Sequence, residues 1–151
     1  MNAFASRPNF ALASLPIAMG LVYLPFAGRL GLTVYNSKKW NNVNPRDHVE
    51  RQKGNMSKEA FQLIKRLDAA HQNALEITPF YMAAVLAALY SGMDKGRVAQ
   101  LSGLFIVSRT FYTAFYIFGV NEIIASARSL SFFACIYACG RLFAGAAHQS
   151  L

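Results

Sequence analysis

The chain alternates long apolar runs with polar breaks. Apolar stretches cover about residues 10–35, 58–90, 98–118 and 124–147, and a polar connection fills 36–57. A helix needs roughly 20 mostly apolar residues to cross a hydrocarbon core of roughly 30 Å. Four such runs predict an all-α, integral-membrane four-helix bundle that forms one domain. The first run contains Pro16 and Pro25, which a membrane helix tolerates. It does not read as a cleaved signal: only Arg7 precedes it, the run is too long, and no small-x-small site ends it. Arg29 near its inner end is expected to snorkel to the interface.

The polar connection carries the turn signals Asn41-Asn42, Asn44-Pro45 and Gly54-Asn55. Ser57 then reads as a helix cap, with Glu59 favouring the first-turn dipole. In the second run, the uninterrupted part from Ile77 to Tyr90 is only about 21 Å long as a helix, short of the roughly 30 Å core. To span, the helix draws Ala69 to Glu76 below the headgroups, Asn73 and Glu76 among them. A buried carboxylate there costs roughly 2.5–3.5 kcal/mol on insertion scales, so it is expected to face a bundle interior, a cavity or a partner. Residues 91–96 read as a short turn and 119–127 as another connection.

Charge refines the picture. The hydrophobic fraction is 54% and the formal net charge is +8. Lys38, Lys39, Arg46, Arg51, Lys53, Lys58, Lys65 and Arg66 crowd one region, opposed by Asp47, Glu50 and Glu59. Because this cluster flanks apolar helices, it reads as a cytoplasmic, positive-inside segment and not as a nucleic-acid surface. Both termini then lie on the opposite side. Cys135 and Cys139 stand four apart on one helical face, a poor geometry for a disulfide, and read as small apolar fillers. With 3 histidines and no paired spacing, no metal site is expected.

Polar groups converge in depth. Asn73 and Glu76 lie in the cytoplasmic half of the second helix. Arg109, Tyr112 and Tyr116 share one face of the third. Arg128 and Ser129 open the fourth on the same side, and Arg66 and His71 lie close in depth. Arginines hold carboxylates bidentately, and a glutamate holds an amino group. A guanidinium at 128 lowers the pKa of a thiol and raises its reactive fraction. Plainer roles compete: a Glu76–Arg109 ion pair, an Asn73 helix bridge, His71 in helix packing, tyrosines as interfacial aromatics, and an outward-snorkelling Arg141.

Three segments resemble the MAPEG family, the membrane-associated proteins of eicosanoid and glutathione metabolism. Residues 70–80, Ala-His-Gln-Asn-Ala-Leu-Glu-Ile-Thr-Pro-Phe, are similar to that family's second-helix signature. Arg109-Thr110-Phe111-Tyr112-Thr113-Ala114-Phe115-Tyr116 resembles its third-helix pattern, and Arg128-Ser129-Leu130-Ser131-Phe132-Phe133 its fourth-helix start. Asn44-Pro45-Arg46-Asp47 is similar to a cytoplasmic acidic element. The resemblance implies a homotrimer in the endoplasmic reticulum or another intracellular membrane, with glutathione as cofactor and a lipophilic small molecule as substrate. It implies that Arg66, His71, Asn73, Glu76, Arg109, Tyr112 and Tyr116 bind glutathione, and that Arg128, Ser129 and Asp47 serve catalysis. The implied activity is transferase, peroxidase or isomerase. Ala69 and Gln72 stand where the family often has arginines. The alternative is a non-catalytic lipid-binding or scaffold member resembling the lipoxygenase-activating protein.

Overall fold

The computed structural model describes residues 9–37, 43, 47–51, 53–119 and 121–149. Lys38, Lys39, the Asn41-Asn42 pair and Asn44-Pro45-Arg46 lie outside the described residues. The helices are α1 (Phe10–Ser37), α2 (His48–Arg51), α3 (Lys58–Tyr90), α4 (Lys95–Phe118) and α5 (Glu122–Gln149), with a 3-10 turn at Lys53–Asn55. All but α2 are long and apolar enough to cross a membrane. Helices α3 and α4 form the central pair, and α1 and α5 flank it, each packing on both.

Local chemistry sets the boundaries. Ser57 caps α3, its hydroxyl accepting the Ala60 N–H at 3.1 Å. The 33 residues of α3 make a rod of about 50 Å, so its first turns extend beyond the hydrocarbon. Asp94 accepts the Arg97 N–H at 2.9 Å, which starts α4 at Lys95 and not near 98. Asn121 does the same for Ile124 at 2.9 Å. As a result α5 begins at Glu122, two residues ahead of the run expected from about 124. Arg128 sits in the second turn of α5, near its start as expected. Glycine is required at 119, where a Cβ would collide with the Phe115 carbonyl, and at 92, where φ is 80°.

Of the turn signals in the polar connection, Gly54-Asn55 lies in the 3-10 turn, and a short helix precedes it: Val49 of α2 is buried with Phe61 and Ile64, and Lys65 donates to Glu50 at 2.7 Å. One apolar anchor in four residues leaves no periodicity to read. Arg29 does not simply snorkel. It donates to Asp68 at 2.8 Å, tying α1 to α3 in a partly buried ion pair.

The core lies on the α1–α3–α4 seam and continues to α5. Tyr81 and Phe105 stack with ring centroids 3.7 Å apart. The Ser14 and Tyr81 hydroxyls share a buried hydrogen bond. Ala11, Ala18, Ala84, Ala88 and Ala138 let the helices approach closely. Cys135 and Cys139 are free thiols within this core.

Candidate functional site

Near the α2 end of the bundle, a cavity of about 230 Å³ is lined by Asn73, Tyr112, Tyr116, Arg128, Ser129, Phe132 and Phe133. Three helices build it. Tyr112 and Tyr116 lie one turn apart on α4, with ring centroids 5.6 Å apart. The Arg128 guanidinium of α5 lies 4.5 Å over the Tyr116 ring. That cation–π contact leaves the guanidinium edges directed for hydrogen bonding, and it orients a side chain that is otherwise rotamer-rich. Ser129 donates to the Ala125 carbonyl at 3.3 Å, so its oxygen remains an acceptor. Phe132 and Phe133 supply an apolar wall. A second cavity of about 250 Å³, lined by Phe115, Gly119, Asn121, Glu122, Ala125 and Arg128, adjoins the same guanidinium.

Behind this wall sits Arg109, 1% exposed. It donates to the Asn73 amide oxygen at 3.2 Å and covers the Tyr112 ring at 4.4 Å. Its Nε and Nη2 have no hydrogen-bond partner; the Cys135 thiol and Tyr112 face it without meeting hydrogen-bond geometry. Arg109 does not line the cavity. It holds two residues that do.

The remaining sequence candidates are dispersed. His71 is buried on the opposite side of α3, its Nδ1 2.8 Å from the Val22 carbonyl and its ring against Phe26 and Tyr23. Two residues of helix turn a side chain by about 200°, which separates His71 from Asn73. Glu76 is exposed and makes no hydrogen bond or ion pair within the described residues, so the Glu76–Arg109 pair does not form. Arg66 lies on the Asn73 face about 10 Å nearer the α2 end, its Nε buried without a hydrogen-bond partner. Asp47 is exposed and pairs weakly with Arg51 at 3.8 Å. Sequence reasoning missed Asp68, because a lone carboxylate near a basic cluster reads as a solvated charge. It also missed Phe132 and Phe133 as cavity walls.

The architecture is that of a small multi-pass helical membrane protein with a polar site recessed at one end. The MAPEG family model matches residues 10–148, and the chain belongs to the MAPEG family. That places it among membrane proteins of glutathione-related or eicosanoid metabolism. Comparison with curated proteins and with solved structures gives no match.

Proposed function

We propose that this protein is a membrane-bound glutathione-dependent transferase, peroxidase or isomerase acting on a lipophilic substrate, with Arg128 stabilising the glutathione thiolate. The observation that carries the reading is the Arg128 guanidinium, held over Tyr116 on the wall of a cavity that also presents an amide, two tyrosines and two phenylalanines. The donor set suits a thiol tripeptide. Asn73 and the tyrosine hydroxyls bind amide and carboxylate groups, Arg109 keeps Asn73 and Tyr112 in place, and Arg66 offers an unused N–H farther along the same face. When bound, glutathione supplies the sulfur nucleophile or reductant. Arg128 favours the deprotonated form by placing a permanent positive charge beside the sulfur. Phe132 and Phe133 hold the apolar partner and exclude water.

The functional unit in this reading is a homotrimer. Glu76 projects from α3 with Gln72, Leu75, Pro79, Ala83 and Leu86, a helical stripe left exposed by the single chain. A carboxylate without a partner at membrane depth calls for a second copy to receive it. There Glu76 completes the site by binding the amino group of glutathione. The basic connection lies on the cytoplasmic side of an intracellular membrane such as the endoplasmic reticulum.

The absence of arginines at Ala69 and Gln72 favours the non-catalytic lipid-binding scaffold as the second reading. Calorimetric titration with glutathione, coupled to turnover of a halonitrobenzene in membranes, separates the two. Saturable binding with glutathione-dependent turnover supports the enzyme. Neither heat nor thermal stabilisation at millimolar glutathione supports the scaffold.

A further inference from the structure

Another polar cavity lies at the other end of the bundle. It encloses about 510 Å³ between the start of α4 and the end of α5. Along α5, Arg141 stands about 20 Å from Arg128, so the two sites are separate. Arg97 and Arg141 reach this cavity from adjacent helices, with His148 beside them. Both arginines are exposed, and neither forms an ion pair among the described residues. Arg141 keeps only a distant contact with the Tyr137 ring, at 6.0 Å. The one carboxylate in the lining, Asp94, already accepts the Arg97 backbone N–H. The amino end of α4 adds its positive dipole.

The cavity is basic at its rim and apolar at its wall. Met93, Ala144 and Gly145 form that wall. Below it, α5 continues through Gly140 and Tyr137, both exposed and at helical spacing. Apart from the helix's own nearby backbone and chain neighbours, nothing lies within 4 Å of a Cβ built at Gly140, so the α5 surface just below the cavity is open. Charge at the membrane interface above this open surface matches the two halves of one class of molecule.

We propose that this cavity binds a membrane phospholipid, its headgroup phosphate held by Arg97 and Arg141 and an acyl chain starting down the Gly140–Tyr137 face. The free guanidiniums supply charge-assisted, fork-shaped donors for phosphate oxygens. A soluble anion satisfies the arginines but leaves that face bare, which is why a lipid fits better.

The test is native mass spectrometry of the full-length protein released from nanodiscs of defined phosphatidylglycerol content. Wild type retains phospholipid. Arg97→Gln/Arg141→Gln retains it at least about tenfold more weakly, while Arg97→Lys/Arg141→Lys, which keeps the charge and loses the fork, falls between the two. Should the double glutamine variant fail to fold, each single variant shows a loss of about threefold, since charge-assisted contacts are comparable in strength. Equal retention by wild type and the folded glutamine variants overturns the site. Inorganic phosphate that stabilises the lipid-stripped protein as strongly as short-chain phosphatidylglycerol makes it a free-anion site and overturns the lipid assignment.

Discussion

Arg109 reaches from α4 to the Asn73 amide oxygen of α3 at 3.2 Å, so the residue that presents Asn73 to the cavity is itself outside it. Arg109 is 1% exposed, and its guanidinium has no carboxylate partner among the described residues. Burying an unneutralised cation opposes folding, and replacing such a group with an apolar one is often neutral or stabilising. Arg109→Met is therefore expected to keep or raise the thermal midpoint in detergent. Glutathione-dependent kcat/KM is expected to fall about tenfold as Asn73 and Tyr112 lose their support. Unchanged kcat/KM in a folded variant removes Arg109 from a positioning role.

His71 separates packing from binding. Its Nδ1 lies within hydrogen-bond distance of the Val22 carbonyl, and its ring packs on α1. His71→Phe keeps the ring contacts and loses the hydrogen bond, at about 1 kcal/mol of stability. Glutathione affinity by calorimetry is expected to stay the same. A weakened affinity at unchanged stability returns His71 to the binding set.

The Arg29–Asp68 pair fastens α1 to α3 with side chains 13% and 39% exposed. Asp68→Ala removes the carboxylate from a mostly buried arginine and is expected to cost about 1–3 kcal/mol, while Arg29→Ala/Asp68→Ala costs less than the sum of the singles. Equilibrium denaturation of the three variants in mixed micelles checks this. Additive losses contradict the coupling.

The docking of α2 on α3 carries a pH signature. Hydrogen bonding to Lys65 holds the Glu50 carboxyl below the usual carboxylate range. A group whose pKa is depressed on docking stabilises the docked state above its undocked pKa, about 4.3, and that contribution disappears as pH falls through the docked value. Hydrogen-exchange protection over residues 47–51, corrected for the intrinsic pH dependence of exchange, is expected to hold down to that range and to fall below it. In Lys65→Gln, this pH dependence flattens. An identical profile in both proteins contradicts the pairing.

Much of the bundle was legible because membrane helices announce themselves by length and apolarity, properties that tertiary packing does not alter. The convergence of Asn73, Tyr112, Tyr116 and Arg128 was legible because depth along each helix follows from residue count. Rotation about a helix was harder. Gln72, Asn73 and Glu76 sit close in sequence, yet only Asn73 lines the cavity, while the neighbouring His71 faces α1. Asp68 and Val49 were hidden because their partners, Arg29 and Ile64, come from elsewhere in the chain. The far cavity was hidden for the same reason: Arg97 and Arg141 are neighbours only after α4 and α5 pack.

Thiolate formation at Arg128 is read most directly by ultraviolet difference absorbance of protein-bound glutathione titrated against pH. The wild-type protein is expected to show thiolate at neutral pH, below the ordinary thiol range. Arg128→Ala is expected to bind glutathione with no thiolate signal there and to remain the same oligomer. A thiolate signal of equal size and equal pH midpoint in Arg128→Ala contradicts the role given to this guanidinium.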